Sequence, residues 1–359
     1  MYLCNKCRDR LSYSGNPPTN GSSKCDICSD LLEHIDDYFS MFKEESREYD
    51  FSTFLIGMRV LKDSLQTDVE AIKKSGVNSR NYKEEFQFLL GSKIEKELPY
   101  RVDFKRPEMT FTVDQENMGY SVWIRPIYIK GRYLKKRRGI PQSPWIKPGK
   151  GKEEEKSVSE YIGQPVCDAL DGRNYNFFAS GREDVDALML GTGRPFYVEV
   201  KFPKRRSTDF SALTSRILNE SRDGIEIIDL SIADPTVIEA MKDQRPDKTY
   251  EVGLTVDGTD VQKMVEKLGK YSNIKISQRT PNRVLGIRKD IVRERTVRSI
   301  EIKRLDGRNL VLIIKAEAGT YIKEFVTGDK GRTVPNLSDD LDVNVKIEYL
   351  NVLEVKQGM

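Results

Sequence analysis

Two Cys-x-x-Cys pairs near the N-terminus, Cys4/Cys7 and Cys25/Cys28, constrain this chain more than any other feature. Each pair forms a tight knuckle, and two knuckles can present four thiolates tetrahedrally to one zinc ion. Four cysteines leave no coordination position open to a substrate, so the site reads as structural. Between the knuckles, Ser12 to Ser23 is polar and rich in Gly, Pro and Asn, a loop without a core of its own. Zinc would then supply most of the module's stability. The fifth cysteine, Cys167, falls among apolar residues on an expected helix and reads as a small core residue. The lone histidine, His34, is given no role.

At 359 residues, 38% hydrophobic and 32% charged, the chain has room for two or three domains, each with its own core. No apolar run reaches the length of a membrane span, and the first residues do not read as a signal peptide. A cytoplasmic protein is expected. Asp30 to Glu45 carries apolar residues at helical spacing (Leu31, Leu32, Ile35, Tyr38, Phe39, Phe42), which predicts a helix linking the knuckle to the next domain. A strand over 51–60, helices around 69–74 and 82–97, and strands over 109–113 and 121–130 predict a small α+β domain. Further on, strands are expected at 248–254, 299–303 and 309–316, with a helix over 157–170. The expected partition is a knuckle and linking helix over 1–48, an α+β domain over 49–152 and a large mixed-sheet domain over 153–359.

Net charge is only +4, but it is unevenly spread. From Asn117 to Lys152 there are ten Lys or Arg and no acid. Basic residues, among them Lys135, Lys136, Arg137 and Arg138, alternate there with Tyr128, Tyr133 and Trp145, which offers both phosphate neutralisation and stacking surfaces. The opposite charge gathers at Gly181-Arg182-Glu183-Asp184-Val185-Asp186, between an apolar lead-in and the β-prone Phe196 to Val200. Acids at the mouth of a strand pair, beside Arg182 or another cation, suit a catalytic centre as well as a solvated turn.

Five segments carry a resemblance to a known family. They are Gly181 to Asp186; Lys248-Thr249-Tyr250; Ala318-Gly-Thr-Tyr321-Ile-Lys323-Glu324 continuing to Thr333; Gln278 to Val284; and Gly131 to Trp145. Together they resemble the archaeal-type tRNA pseudouridine synthases that carry an N-terminal four-cysteine knuckle and an RNA-binding THUMP domain. The resemblance spans essentially the whole chain. It implies an α+β fold in three parts, a zinc knuckle, a THUMP-like domain and a pseudouridine-synthase-type catalytic domain with a mixed or antiparallel sheet. It also implies isomerisation of uridine to pseudouridine in the TΨC arm of tRNA, at the adjacent uridines conventionally numbered 54 and 55, by a monomer with structural zinc and no organic cofactor. On this resemblance Asp184 would be the catalytic carboxylate, and Tyr250 would stack on the flipped base. Tyr321 and Arg182 would line the substrate's site, and Lys323 would pair with Asp184. Arg279 and Arg283 would join Lys135, Lys136, Arg137 and Arg138 in binding RNA. Ala187-Leu188-Met189 stands where the family pattern has Val-Arg.

Other readings compete with these assignments. Asp186 competes with Asp184 for the catalytic place, and Tyr250, in mid-strand, also reads as a core aromatic. Asp186 with Glu199 and Lys201 fits the D…ExK pattern of metal-dependent nucleases. A non-catalytic RNA-binding adaptor would account for the knuckle and the basic run, but not for the acids.

Overall fold

The structure is a computed structural model and describes residues 1–13, 24–144, 146–147, 151–152, 155–236, 238–239, 245–257, 266–268, 271–286 and 288–356. Two compact units emerge: Met1–Pro126 with two short segments, Leu170–Asn174 and Lys201–Ser207, and the remainder from Ile127 onward.

The first unit opens with helix α1 (Asn5–Leu11) and a short 3-10 turn (Leu31–His34) that runs into α2 (Ile35–Glu45). Strand β1 (Thr53–Arg59), helices α3 (Lys62–Ser75) and α4 (Tyr82–Glu97), and strands β2 (Arg101–Val102), β3 (Met109–Asp114) and β4 (Gly119–Ile124) complete it. The sheet order is β2-β1-β3-β4, with β1 parallel to both its neighbours and β4 antiparallel to β3. The apolar spacing of α2 sets its inner face: Phe42 meets Phe54 at 5.2 Å and Phe111 at 5.6 Å between ring centroids. The knuckle is no appendage, because Cys4, Cys7, Cys25, Cys28 and Ile27 belong to the same continuous core as Phe54, Phe86 and Phe111. Arg10 of α1 forms a buried ion pair with Asp68 of α3 and donates to the Arg80 carbonyl at 2.7 Å. Most of the expected loop from Ser12 to Ser23 lies outside the described residues.

The second unit is built on one mixed ten-stranded sheet. In chain order its elements are β5 (Ile127–Lys135), a two-stranded hairpin β6 (Ile146–Lys147) and β7 (Gly151–Lys152), α5 (Val158–Ala169), β8 (Asn174–Ala179), β9 (Leu188–Lys201) and α6 (Phe210–Glu220). Then come β10 (Ile225–Ala233), β11 (Lys248–Asp257), β12 (Ser272–Arg279), β13 (Val292–Asp306), β14 (Asn309–Ala316), α7 (Ile322–Thr327), β15 (Thr333–Val334), α8 (Leu337–Leu341) and β16 (Asn344–Val355). The large sheet runs β10-β5-β9-β16-β11-β14-β13-β12-β15, with β8 on β9. Along that path the β16–β9 pairing is parallel and the other pairings are antiparallel. No described helix is long and apolar enough to cross a membrane.

The strand expected over 121–130 is two strands in two sheets. Pro126 lacks a backbone donor and falls between β4 and β5. The first compact unit runs to Pro126, and the second begins at Ile127. β5 pairs with β9 and β10, which carries Gly131 to Lys135 into the large sheet.

Candidate active site

The loop from Ser180 to Ala187 joins β8 to β9, and its conformation is set from beneath. Glu183 turns inward and is sealed: Arg194 of β9 donates Nε to it at 2.8 Å, and Tyr133 of β5 donates its hydroxyl at 2.9 Å. Both side chains of the Glu183–Arg194 pair are essentially inaccessible, at 0% and 1% exposure. Gln142 donates to the Tyr133 hydroxyl and to the Gly181 carbonyl, each at 2.9 Å, and Arg194 also donates to the Ser180 carbonyl at 2.7 Å. A buried ion pair with this many hydrogen bonds fixes geometry, since removing either partner leaves an uncompensated charge. Burial, with the Glu183 charge beside it, pushes the Tyr133 phenol well above its ordinary value. Gly181 has a φ of +83°, a backbone conformation that glycine adopts without strain, and a Cβ there would displace Lys248 Nζ, 2.4 Å away. Burial, reinforced by Arg194, lowers the Lys248 ammonium to about 8.

With Glu183 pinned inward, Asp184 faces outward, half-buried. Its Oδ1 accepts from Arg283 Nη1 at 3.1 Å and its Oδ2 lies 3.2 Å from Lys323 Nζ. The same Lys323 donates to both oxygens of Asp186 at 2.9 and 2.8 Å. Burial works against the charge of Asp186, yet these bonds hold its carboxyl below the usual range. Lys323 is in the first turn of α7; Arg283 sits on a 3-10 turn (Asn282–Val284) in the loop between β12 and β13. Arg283 also donates Nε to Glu324 at 2.7 Å. Its guanidinium is raised above its ordinary value, since Glu324 and Asp184 more than offset its burial.

Tyr250 lies on β11, between Ile314 of β14 and Val352 of β16, and is 7% exposed. Burial pushes its phenol up to about 12. Tyr321 is half-buried. Gln278 clamps its backbone with two hydrogen bonds, 2.9 Å from its N–H and 3.0 Å to its carbonyl, and its hydroxyl accepts from Arg288 at 3.0 Å. Arg182 is exposed beside the turn.

Several sequence assignments change. Lys135 is fully buried and donates to the carbonyls of Ile140, Asp184 and Val185 at 2.9, 3.1 and 3.2 Å. It supports the Asp184 loop and cannot meet RNA. Tyr133 is likewise buried and is no stacking surface. The rest of the cluster is not a free patch: Lys136 pairs with Glu226, Arg137 with Glu155 at 2.9 Å, and Arg138 donates to the Asp186 carbonyl and to Asn351 at 2.8 Å. Trp145 lies outside the described residues. Arg279 is about half-exposed and pairs with Asp290 at 2.9 Å. Arg283, expected on RNA, touches Asp184 instead.

The D…ExK grouping does not assemble. Glu199 is five strand residues beyond Arg194, roughly 17 Å along an extended chain. Its carboxylate accepts from Tyr128 and Asn176, at 3.0 and 2.7 Å. Among the described residues, the one His/Cys/Asp/Glu group arranged to hold a metal is Cys4, Cys7, Cys25 and Cys28, all buried. Their sulfurs lie within 4.8 Å of one another, as ligands of a single ion with metal–sulfur bonds of about 2.3 Å would.

In the mixed-sheet unit, two outward aspartates share Lys323, and of the two it is Asp184 that also meets Arg283. Two family models match the chain: the archaeal Pus10 THUMP domain over residues 39–114 and the Pus10 C-terminal region over 128–356. The chain belongs to the Pus10 family. It is 38% identical over 349 residues to a protein of Methanothermobacter marburgensis named tRNA pseudouridine synthase Pus10, covering 92% of this chain and 86% of that one. Proteins of the same name from Methanopyrus kandleri (34% identical, 92% and 80% covered) and Archaeoglobus fulgidus (32%, 98% and 99%) are similar over comparable lengths. A Cbf5-Nop10-Gar1 complex is a looser likeness, with 14% identity and a TM-score of 0.34 over 63% of this chain and 58% of that one, and it carries no weight here.

Arg194 escaped the sequence reading, being a single polar residue in a strand, whereas Gln278 stood in one of the five segments without a role and Lys135 was assigned to RNA. Lys135 did give a signal: along β5 the odd positions Ile127, Ile129, Tyr133 and Lys135 are buried, the period-2 pattern of one strand face.

Proposed function

We infer that this chain is a tRNA pseudouridine synthase, with Asp184 as the carboxylate that acts on the extruded uridine. The reaction breaks the bond from base N1 to ribose C1′, turns the base and joins C5 to C1′. The C5 proton leaves and N1 gains one, so no atom is added or lost and no organic cofactor is required. The observation that carries this reading is the division of labour within one loop, where Glu183 is locked into the floor so that Asp184 stands outward between Arg283 and Lys323. A target base buried in a folded RNA arm must first be flipped out, and half-buried Tyr321, with the part of Tyr250 that stays exposed, offers aromatic surface to hold it. Arg182 and Arg279 are exposed cations suited to RNA phosphates. The substrate is the TΨC arm, at the two adjacent uridines; the enzyme works as a cytoplasmic monomer. Cys4, Cys7, Cys25 and Cys28 hold a structural zinc ion, which has no part in the chemistry. The 1–48 segment serves as a knuckle, and the α+β domain after it as the THUMP-type RNA-binding domain.

The test is to incubate the purified protein with a tRNA transcript and map pseudouridine by nucleotide. New pseudouridine in the TΨC arm is the expected result; an unmodified transcript contradicts it. Elemental analysis of the same preparation should find one zinc per chain.

A further inference from the structure

We propose that Glu324 is a positioning residue for the isomerisation, acting through Arg283 to hold Asp184 in place. This rests on the pseudouridine synthase reading and extends it to a residue that does not touch Asp184.

Lys323 and Glu324, neighbours in α7, approach Asp184 by different routes. Lys323 reaches Oδ2 directly, at 3.2 Å. Glu324 points the other way, into the protein, and is only 5% exposed. Its Oε1 accepts from Arg283 Nε at 2.7 Å, and the far end of the same guanidinium, Nη1, donates to Asp184 Oδ1 at 3.1 Å. The remaining Oε2 is buried without a hydrogen-bond partner among the described residues. A buried carboxylate oxygen left without a partner costs free energy, so what the Glu324 carboxylate contributes is its contact with Arg283. The arrangement is explained if the carboxylate is there for Arg283.

A guanidinium is a rigid planar fork, so gripping Nε fixes the direction in which Nη1 points. Lysine, a point charge on a flexible stem, cannot be aimed in this way. The need for aiming comes from the loop that carries Arg283. Between β12 and β13 it also holds Arg288 and Lys289, and Asn282 is tied to Asp329 at 2.9 and 3.1 Å. A loop with that much positive charge meets RNA phosphate readily. Without the buried acid, Arg283 would turn outward to the RNA backbone and leave Asp184 held from one side. Glu324 reserves Arg283 for Asp184.

The test compares Glu324→Gln, Arg283→Ala, the double variant and Arg283→Lys, by single-turnover pseudouridine formation and by tRNA binding at several salt concentrations. Glu324→Gln should lower the rate about tenfold or more, the loss expected when a reacting group is misplaced. Its affinity for tRNA should stay the same or tighten. The slope of log affinity against log salt should steepen by about 0.7 to 0.9 if Arg283 gains one phosphate. The double variant should be no slower than Arg283→Ala, because Glu324 acts only through Arg283. Arg283→Lys, which keeps the charge and loses the fork, should be slow as well. A purely structural Glu324 predicts a lower melting temperature, multiplicative losses in the double variant and an unchanged salt slope. Those results, or a Glu324→Gln rate within twofold of wild type, overturn the proposal. Wild-type turnover on the same transcript separates failure of this inference from failure of the functional reading, and the salt slope needs no turnover at all.

Discussion

Glu183 and Asp184 are adjacent acids on one loop, and their surroundings are opposite. Glu183 has no exposed side-chain surface and meets Arg194, itself inaccessible, with the Tyr133 hydroxyl beside them. Asp184 keeps 34% of its side chain exposed and faces Arg283 and Lys323, which lie on a separate loop and helix. Both are carboxylates paired with cations, so an ion pair by itself identifies neither structure nor chemistry. Access tells them apart. The floor holds its charge with fixed strand residues, whereas the front holds its charge with side chains that a substrate can reach.

The sharpest way to break this contrast is at the floor. Glu183→Ala leaves Arg194 buried without its counter-charge and should destabilise the protein by ~3–5 kcal/mol, read by denaturant titration. If its stability is close to that of wild type, the floor is not structural. At the front, Lys323→Met should leave stability nearly unchanged and slow pseudouridine formation by about tenfold to hundredfold, ~1.4–2.8 kcal/mol of transition-state stabilisation. A large drop in melting temperature with intact turnover would reverse the assignment of roles.

A smaller effect concerns pH. Burial lowers the folded-state value of Lys248 to about 8, and burial likewise lowers Lys135 to about 8. In the unfolded chain a lysine titrates near 10.4. Between those values the unfolded chain binds a proton that the folded chain has released, so stability rises with pH across that window. Below about pH 8 both states are protonated and the full cost of burying the charge remains. Lys248→Met should flatten the rise by ~1–2 kcal/mol when denaturation is followed from pH 8 to 10. An unchanged slope would mean that Lys248 is better solvated than its burial indicates. The smallest effect is expected for Asp186→Asn, whose single-turnover rate should stay within about threefold of wild type, under ~0.7 kcal/mol.

Much of the fold and the site was legible in the sequence. The cysteine spacing located the four buried sulfurs, and helical periodicity located α2 and α4. The spaced motifs brought Asp184, Lys323 and Tyr250 into one unit. What the sequence left open has physical causes. In a tight turn, neighbouring acids carry no local mark of which one faces in, because Arg194 and Tyr133 decide that from other strands. Arg283 is 99 residues from Asp184, and only the β12–β13 connection brings it there. The run of basic residues after Gly131 read as a surface patch because charge density outweighed strand alternation. That alternation places Lys135 inside with Tyr133. The break at Pro126 was visible as a residue, but the assignment of its two flanking strands to different sheets depends on pairings with β9 and β10 far along the chain.

The central claim is that Asp184, and neither Asp186 nor the buried Glu183, is the carboxylate that acts on uridine. The most direct measurement is single-turnover pseudouridine formation by Asp184→Asn and Asp186→Asn on the same tRNA transcript, with tRNA affinity measured in parallel. Asp184→Asn should bind tRNA about as well as wild type and form no pseudouridine, while Asp186→Asn should still turn over. Pseudouridine formed by Asp184→Asn at the wild-type rate would contradict it.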